Sequence, residues 1–259
     1  MHVQAFIICF KENSDRRNLL KERFLGIGFD PVFIDAVRGS TLSDAEKSPF
    51  LNSGRQYITA SMMQDNAMGC TLSHFKAWEA LLAGDAPFAF IFEDDAGPIQ
   101  DDIMPRIRGV VEMADQLDVV ILSNRRENLK RVKVKDMAGD AGLYAMRYND
   151  FGLESYFITK EAARTFLDHP HRFSTEVDFL IHHWWHHDRQ VLHLLPPLFA
   201  EDGRTSTIGY SNVPLWPDDR IRHRISRRFI RASDSMRKRL CFPGYVSRIK
   251  ARLAHGGSA

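Results

Sequence analysis

The chain has 259 residues, 44% hydrophobic and 26% charged, a composition typical of soluble globular proteins and unlike disordered, collagen-like or membrane-spanning chains. Its formal net charge of +2 conceals an asymmetry: the segment from Asp218 onward carries +9, which leaves -7 on residues 1–217. Cys9, Cys70 and Cys241 lie far apart with no CxxC pair, so the spacing implies neither a disulfide framework nor a cysteine zinc site, and a reduced, cytosolic setting is the expectation.

Val3 to Phe10 is a short apolar run that reads as a strand and, lacking a basic flank and a small-residue cleavage site, not as a signal peptide. Behind Ser14 and Asp15 the positions Leu19, Leu20, Phe24 and Leu25 predict a helix, which Gly26 and Gly28 end before a second strand at Pro31 to Val37. This β-α-β opening predicts a parallel, doubly wound α/β sheet. Residues 38–66 read as a surface loop with a short helix near Leu42 to Lys47. Apolar positions 68, 72, 75, 78 and 82 then form one helical stripe before Gly84.

Phe88 to Phe92 is fully apolar, as a buried strand should be, and stops at Glu93-Asp94-Asp95. A helix from Ile103 to Leu117 and a strand from Asp118 to Leu122 repeat the alternation. Residues 124–142 read as a hairpin or mobile loop, followed by strands at Leu143 to Arg147 and Ser155 to Thr159. Thr159 is placed to cap a helix through Leu167; a helix from Thr175 to His187 and a strand from Val191 to Leu195 complete a domain assigned to residues 1–217. Residues 218–259 read as a basic tail of two amphipathic helices. One carries Ile221, Ile225 and Phe229, the other Val246, Ile249 and Leu253, with a break at Pro243-Gly244.

Three segments hold candidate chemistry. In an open α/β sheet ligands bind outside the carboxyl ends of the strands, so three acids there point to a divalent cation bridging a diphosphate. Glu93 and Asp95, two apart, project to one side if the chain stays extended. The alternative is a cluster attracted to the dipole of the following helix. Ser73 and His74 lie off the apolar stripe, and as neighbours on a helix they diverge too far to act as a nucleophile and its base. His182/His186 and His183/His187 are i, i+4 pairs that admit a metal or an outward polar face, and the sequence leaves that choice open.

The order Asp35-Ala36, Gly69-Cys70-x-x-Ser73-His74-x-x-x-Trp78, Glu93-Asp94-Asp95, Tyr156-x-Ile158-Thr159, Val177-Asp178 and Ser206-x-Ile208 resembles glycosyltransferase family 25 over residues 3 to 208. That family comprises lipooligosaccharide galactosyltransferases and related collagen galactosyltransferases. The resemblance implies a GT-A type nucleotide-sugar-binding fold and metal-dependent, inverting transfer from a UDP-sugar, UDP-galactose being the expected donor. It implies Mn2+ or Mg2+ at Glu93 and Asp95, and donor contacts from Arg16, Asp35, Ser73, His74, Glu93 and Asp94. Cys9-Phe10 stand where the family often has Asn-Leu, and Ala67 where it often has Glu.

One base suffices for inversion, and Asp178 is the leading candidate, with Glu154 and Glu176 behind it. The expected acceptor is a glycan or lipid-linked oligosaccharide. The tail predicts a peripheral position on the anionic inner face of the cytoplasmic membrane, and no nucleic acid is expected. Two other classes fit the same residues: a metal-dependent α/β phosphatase or nucleotidyltransferase, and a noncatalytic membrane or nucleic-acid adaptor built around the tail.

Overall fold

The structure is a computed structural model that describes residues 3–51, 63–124, 129–148, 152–203 and 220–255. The N-terminal half runs β1 (Val3–Cys9), α1 (Ser14–Gly26), β2 (Phe29–Asp35), α2 (Asp44–Leu51), α3 (Asp65–Ala83), β3 (Phe88–Glu93), β4 (Ala96–Pro98) and α4 (Met104–Glu112). The remainder runs β5 (Val119–Ile121), β6 (Arg131–Asp136), β7 (Gly142–Met146), β8 (Ser155–Thr159), α5 (Lys160–Leu167), α6 (Val177–His182), β9 (Val191–Leu195), β10 (Phe199–Glu201) and α7 (Arg220–His255).

Eight strands form one sheet in the order β2-β1-β3-β8-β5-β9-β7-β6. The expected parallel β-α-β opening is present, with β1 parallel to β2 on one side and to β3 on the other. The sheet as a whole is mixed. β8 is antiparallel to both β3 and β5, and β7 is antiparallel to β9 and joins β6 as a hairpin. An apolar run reads the same in either direction, so the sequence located these strands without orienting them. β4 and β10 pair antiparallel as a separate two-stranded ribbon just past the acidic turn.

β3 explains its own burial. Phe90 and Phe92 are wholly buried between Phe29, Phe24, Phe157 and Phe199, with edge-on or tilted ring contacts of 4.6 to 5.5 Å. Each such side chain contributes about 1.5–3 kcal/mol on leaving water, enough to fix β3 at the centre of the fold. Its last residue, Glu93, is therefore carried to a fixed point at the sheet edge. Thr159 caps α5 as expected, its hydroxyl accepting from the Ala162 amide at 3.3 Å.

Two expectations are corrected. The helix expected over 175–187 ends at His182, because the chain turns there and the His183 to His187 segment winds through tight turns. The two tail helices are one, with Pro243 inside α7. The second half of α7 belongs to the core: Phe242, Tyr245, Val246, Ile249 and Leu253 are buried, and Tyr245 stacks on Trp184 at 4.2 Å. Its hydroxyl accepts from the Val191 amide at 2.8 Å, and Arg252 donates to Asp118 at 2.8 and 3.3 Å. Val246, Ile249 and Leu253 thus pack on the sheet domain. Among the described residues no helix is long and apolar enough to cross a membrane. Ile221, Ile225, Ser206 and Ile208 lie outside the residues whose side chains are described.

Candidate active site

The carboxyl ends of β1, β2 and β3 open into one cavity. Ile8, Cys9 and Phe10 line it from β1, Ala36 to Ser40 from the segment after β2, Asn66, Cys70, Ser73 and His74 from α3, and Glu93 and Asp94 from β3. Arg17 ties two of these strand ends together: its guanidinium donates to the Cys9 carbonyl at 2.7 Å, to the Phe10 carbonyl at 3.1 Å and to Asp35 at 2.5 Å. That bond holds the Asp35 carboxyl below the usual carboxylate range. Asp35 thus serves the wall of the cavity and is absent from its lining.

The Gly-Cys-x-x-Ser-His element has a physical reason at nearly every position. A Cβ on Gly69 would meet the Val37 carbonyl at 2.6 Å and the Gly39 amide nitrogen at 2.7 Å, so only glycine lets α3 approach the loop after β2 this closely. Ser73 stitches that contact, accepting from the Val37 amide at 2.8 Å and donating to the Gly69 carbonyl at 2.7 Å. Ser73 and His74 are both buried, because α3 packs on more than the single face that its apolar stripe suggested.

His74 stands in a chain of hydrogen bonds. The Trp78 indole donates to the Tyr156 hydroxyl at 2.9 Å, that hydroxyl lies 2.8 Å from His74 Nδ1, and His74 Nε2 lies 3.3 Å from Glu93 Oε1. With the indole as donor, the hydroxyl donates to Nδ1, which leaves the hydrogen on Nε2 to bond Glu93. The buried end of α3 thereby orients the first acid of the triple. In the sequence Tyr156 stands within a strand and in the Tyr-x-Ile-Thr element of the family order, with no role attached; its role here needs β8 beside β3, which no local signal announces.

At the acidic turn the strand ends at Glu93, and Asp94 and Asp95 form the turn into β4. The chain is not extended past Glu93, so the two-apart alternation does not hold; the acids are instead gathered by the turn. Arg16 lies beneath it, buried, donating to the Asp94 carbonyl and to Asp202 at 3.2 Å, with its Nη1 buried and without a partner. The Asp202 amide donates to the Asp95 carbonyl at 2.8 Å, which fastens the end of β10 to the turn. Asp202 and Glu201 were not singled out in the sequence, because Glu201 ends a strand of only three residues and Asp202 follows it.

Asp95 is the least satisfied of these acids. Its Oδ1 is buried with no hydrogen-bond partner, and burial, then Glu93, Glu154, Asp94 and Glu201, push its carboxyl up to about 7. Burial chiefly raises Asp94 as well, against the pull of Arg16. Glu154 is fully buried, accepts from the Ser123 hydroxyl at 2.9 Å and sits behind Asp95, closed to an incoming acceptor.

Glu176 and Asp178 flank the start of α6. Asp178 accepts from the Phe179 amide at 2.8 Å, while burial and then Asp178 push the Glu176 carboxyl up to about 7. Both lie close enough to the cavity that, after burial and Glu93, they raise the Cys70 thiol. The histidine segment is spent differently. His187 Nε2 faces the Ile181 carbonyl at 2.9 Å, His182 Nε2 faces the Gly152 carbonyl at 3.4 Å, and burial lowers both rings to about 4. The i, i+4 pairs do not form, since the helix has ended.

The family profile described as Glycosyltransferase family 25 (LPS biosynthesis protein) matches residues 2–181, from β1 through α6 and across every acid discussed above except Glu201 and Asp202. The chain belongs to glycosyltransferase family 25. Among curated relatives of this family 25 chain, Procollagen galactosyltransferase 1-A of Xenopus laevis is 28% identical over 36% of this chain and 16% of its own length. Lipooligosaccharide biosynthesis protein lic2B of Haemophilus influenzae is 23% identical over 65% of this chain and 64% of its own length. A putative glycosyltransferase of Haemophilus influenzae is 22% identical over 76% of this chain and 70% of its own length. The chain therefore spans less than two thirds of the first two relatives.

Proposed function

We propose that this family 25 protein is a metal-dependent, inverting glycosyltransferase of the GT-A type that moves galactose from UDP-galactose to a lipooligosaccharide or related glycan. The observation that carries the reading is Asp95, a half-buried carboxylate whose Oδ1 is buried and unpartnered among Glu93, Asp94, Glu154 and Glu201. Such a cluster is unfavourable unless a cation joins it, and hard oxygen donors suit Mn2+ or Mg2+. Glu93 and Asp95 would hold the ion, which when bound neutralises charge developing on the departing diphosphate. The family resemblance supplies the donor class, and the names of the relatives supply the galactose and lipooligosaccharide reading.

The protein's own groups take the remaining work. The cavity bounded by Cys9, Phe10, Val37, Gly39 and Asn66 suits the nucleoside end of a donor whose diphosphate points to Glu93 and Asp94. The unpartnered Nη1 of Arg16 offers a donor beneath that diphosphate. Asp178, which lies outside the lining of the cavity but near enough to act on Cys70, takes the proton of the attacking hydroxyl in this reading, and Glu176, poised near neutrality, exchanges it with solvent. No covalent sugar-enzyme intermediate is required.

The first half of α7 supports a peripheral membrane position. Phe229, Met236 and Leu240 are 73, 59 and 73% exposed on a segment whose sequence holds nine Lys or Arg from Arg220 to Arg239. Each basic residue near an anionic surface contributes about 1 kcal/mol, against a body of opposite sign. Sedimentation with anionic vesicles, released at high salt and weakened by Phe229→Ser with Leu240→Ser, checks this; equal sedimentation of both proteins refutes it.

The deciding experiment is calorimetric titration of UDP with and without Mn2+, together with slow UDP release from UDP-sugars. Expected are Mn2+-dependent UDP binding in the wild type and its loss in Asp95→Ala with an unchanged circular dichroism spectrum. Phosphate release from monoesters without UDP binding would instead identify a phosphatase.

A further inference from the structure

Beside the acid cluster lies a set of softer donors. Cys70 Sγ, a ring nitrogen of His74 and a Glu93 carboxylate oxygen all lie within 4.8 Å of one another, the one such group of three or more ligand-type side chains among the described residues. Cys70 and Glu93 are half-buried, His74 is buried, and all three line the cavity. We propose that Cys70, His74 and Glu93 form a Zn2+ site whose fourth position opens into that cavity. The site differs from the Mn2+ or Mg2+ site of the proposed function in carrying sulfur and imidazole, donors that Zn2+ accepts and hard cations avoid.

The geometry is close to what the ion needs. Donors around one tetrahedral Zn2+, at about 2.0–2.3 Å from it, stand roughly 3.3–3.7 Å apart. His74 Nε2 and Glu93 Oε1 are already 3.3 Å apart, so Cys70 has about an ångström at most to close. His74 is prepared for ligation by its other side. The Tyr156 hydroxyl, 2.8 Å from Nδ1, can accept as well as donate, so the ring can move its hydrogen to Nδ1 and offer a lone pair at Nε2. The thiol hydrogen of Cys70 leaves as the sulfur-zinc bond forms, one proton being released to buffer per ion bound.

Glu93 belongs to both sites, and this consequence rests on the proposed function: zinc withdraws Glu93 from the hard-cation set and occupies the donor cavity. The ion is thus an inhibitor that competes with the UDP-sugar and its metal.

Co2+ is the probe, because it reports a thiolate ligand by a charge-transfer absorption without any turnover. The full chain is expected to develop that band with one equivalent of Co2+, to lose it on adding Zn2+, to lack it as Cys70→Ser and to keep it as Cys241→Ser. Retention of the band in a folded Cys70→Ser protein, or its absence from the wild type, overturns the site. Maleimide labelling of the wild type gives an answer free of any variant: Zn2+ is expected to protect Cys70 while exposed Cys241 still reacts. Equal labelling of Cys70 with and without Zn2+ also overturns it. Since neither readout uses a sugar donor, a failed glycosyl-transfer assay leaves the result for this site unaffected.

Discussion

Two aspartates at opposite ends of the central strands show how differently one fold treats a buried charge. Asp118, just before β5, receives the Gln190 amide at 2.8 Å, Arg252 at 2.8 and 3.3 Å, and Arg189 at 3.6 Å. Asp95, in the turn after β3, keeps a buried oxygen without a partner and is crowded by four other acids. The first is a finished interaction that closes the base of the sheet against α7. The second is unfinished, and the missing counter-charge marks the end of the sheet where a ligand belongs.

The sharpest way to break that contrast is to neutralise each in turn. Asp95→Asn is expected to abolish Mn2+-dependent UDP binding while leaving thermal stability of the metal-free protein equal or higher, because a repelling charge is removed. Asp118→Asn is expected to do the reverse. It removes the charge that Arg252 pairs with, while Arg189 keeps Glu161 at 2.8 Å and Thr165 at 2.9 Å; it costs about 2 kcal/mol in urea unfolding and leaves UDP affinity of the folded fraction intact. Should Asp118→Asn lose UDP binding while folded, the two ends of the sheet are coupled and the contrast fails.

At the start of α6, Asp178→Asn is expected to lower transfer by about 100-fold or more with UDP-sugar affinity near wild type. Glu176→Gln is expected to change the pH profile more than the maximal rate, by removing the group that titrates near 7. Steady-state kinetics across pH separate the two. Near-normal turnover by Asp178→Asn would move the base to Glu176.

The same contrast has a pH signature. Asp95 is raised from 3.8 to about 7 in the fold, so its contribution to stability is present below about 4 and is lost as pH rises through 7. His182 and His187, lowered from 6.5 to about 4, act oppositely, their contribution being lost as pH falls through that range. The total melting curve mixes these trends, so the difference between proteins is the useful quantity. Asp95→Asn is expected to gain melting temperature over wild type at pH 7.5 and to gain little at pH 4. An equal difference at both values would show that Asp95 is ionised normally in the fold.

Much of this was legible in the sequence where one residue type served one purpose. The apolar run ending in Glu93 announced both a buried strand and the place where charge collects, whereas Gly69 and Ser73 stood out only within the Gly-Cys-x-x-Ser-His element, their close fit to the loop after β2 being visible only in the fold. Arg16 and Asp35 entered as donor contacts implied by the resemblance, and their places as the underside of the acidic turn and the partner of Arg17 in the cavity wall came only from the fold. What stayed hidden depended on partners distant in the chain. The direction of β8 decides that Tyr156 meets His74, and nothing in Ser155 to Thr159 encodes direction. The histidine segment misled because i, i+4 spacing implies proximity only while a helix continues, and the helix stops at His182. Only the second half of the tail departs from its reading, because a basic amphipathic pattern fits a membrane and a protein core alike; there Tyr245 and Arg252 find partners in Val191 and Asp118.

The smallest expected effect tests whether the packed interior beside the acidic turn helps to set its acids. Tyr156 joins the buried packing of α3 to the acidic turn, since its hydroxyl takes the buried Trp78 indole on one side and sets the His74 ring that faces Glu93 on the other. Tyr156→Phe keeps the ring and its packing and removes only that oxygen. The stranded indole and Nδ1 cost about 1–3 kcal/mol of stability, the usual scale for buried polar groups left unpaired. His74 then chooses its tautomer without guidance, Glu93 is oriented less firmly, and Mn2+ affinity in the presence of UDP is expected to weaken about tenfold, the lower range for loss of an outer support at a metal site. His74→Gln, which cannot repeat the relay, should weaken it at least as much. A stability loss in Tyr156→Phe with unchanged Mn2+ affinity would make the relay a packing device alone and leave Glu93 positioned by β3.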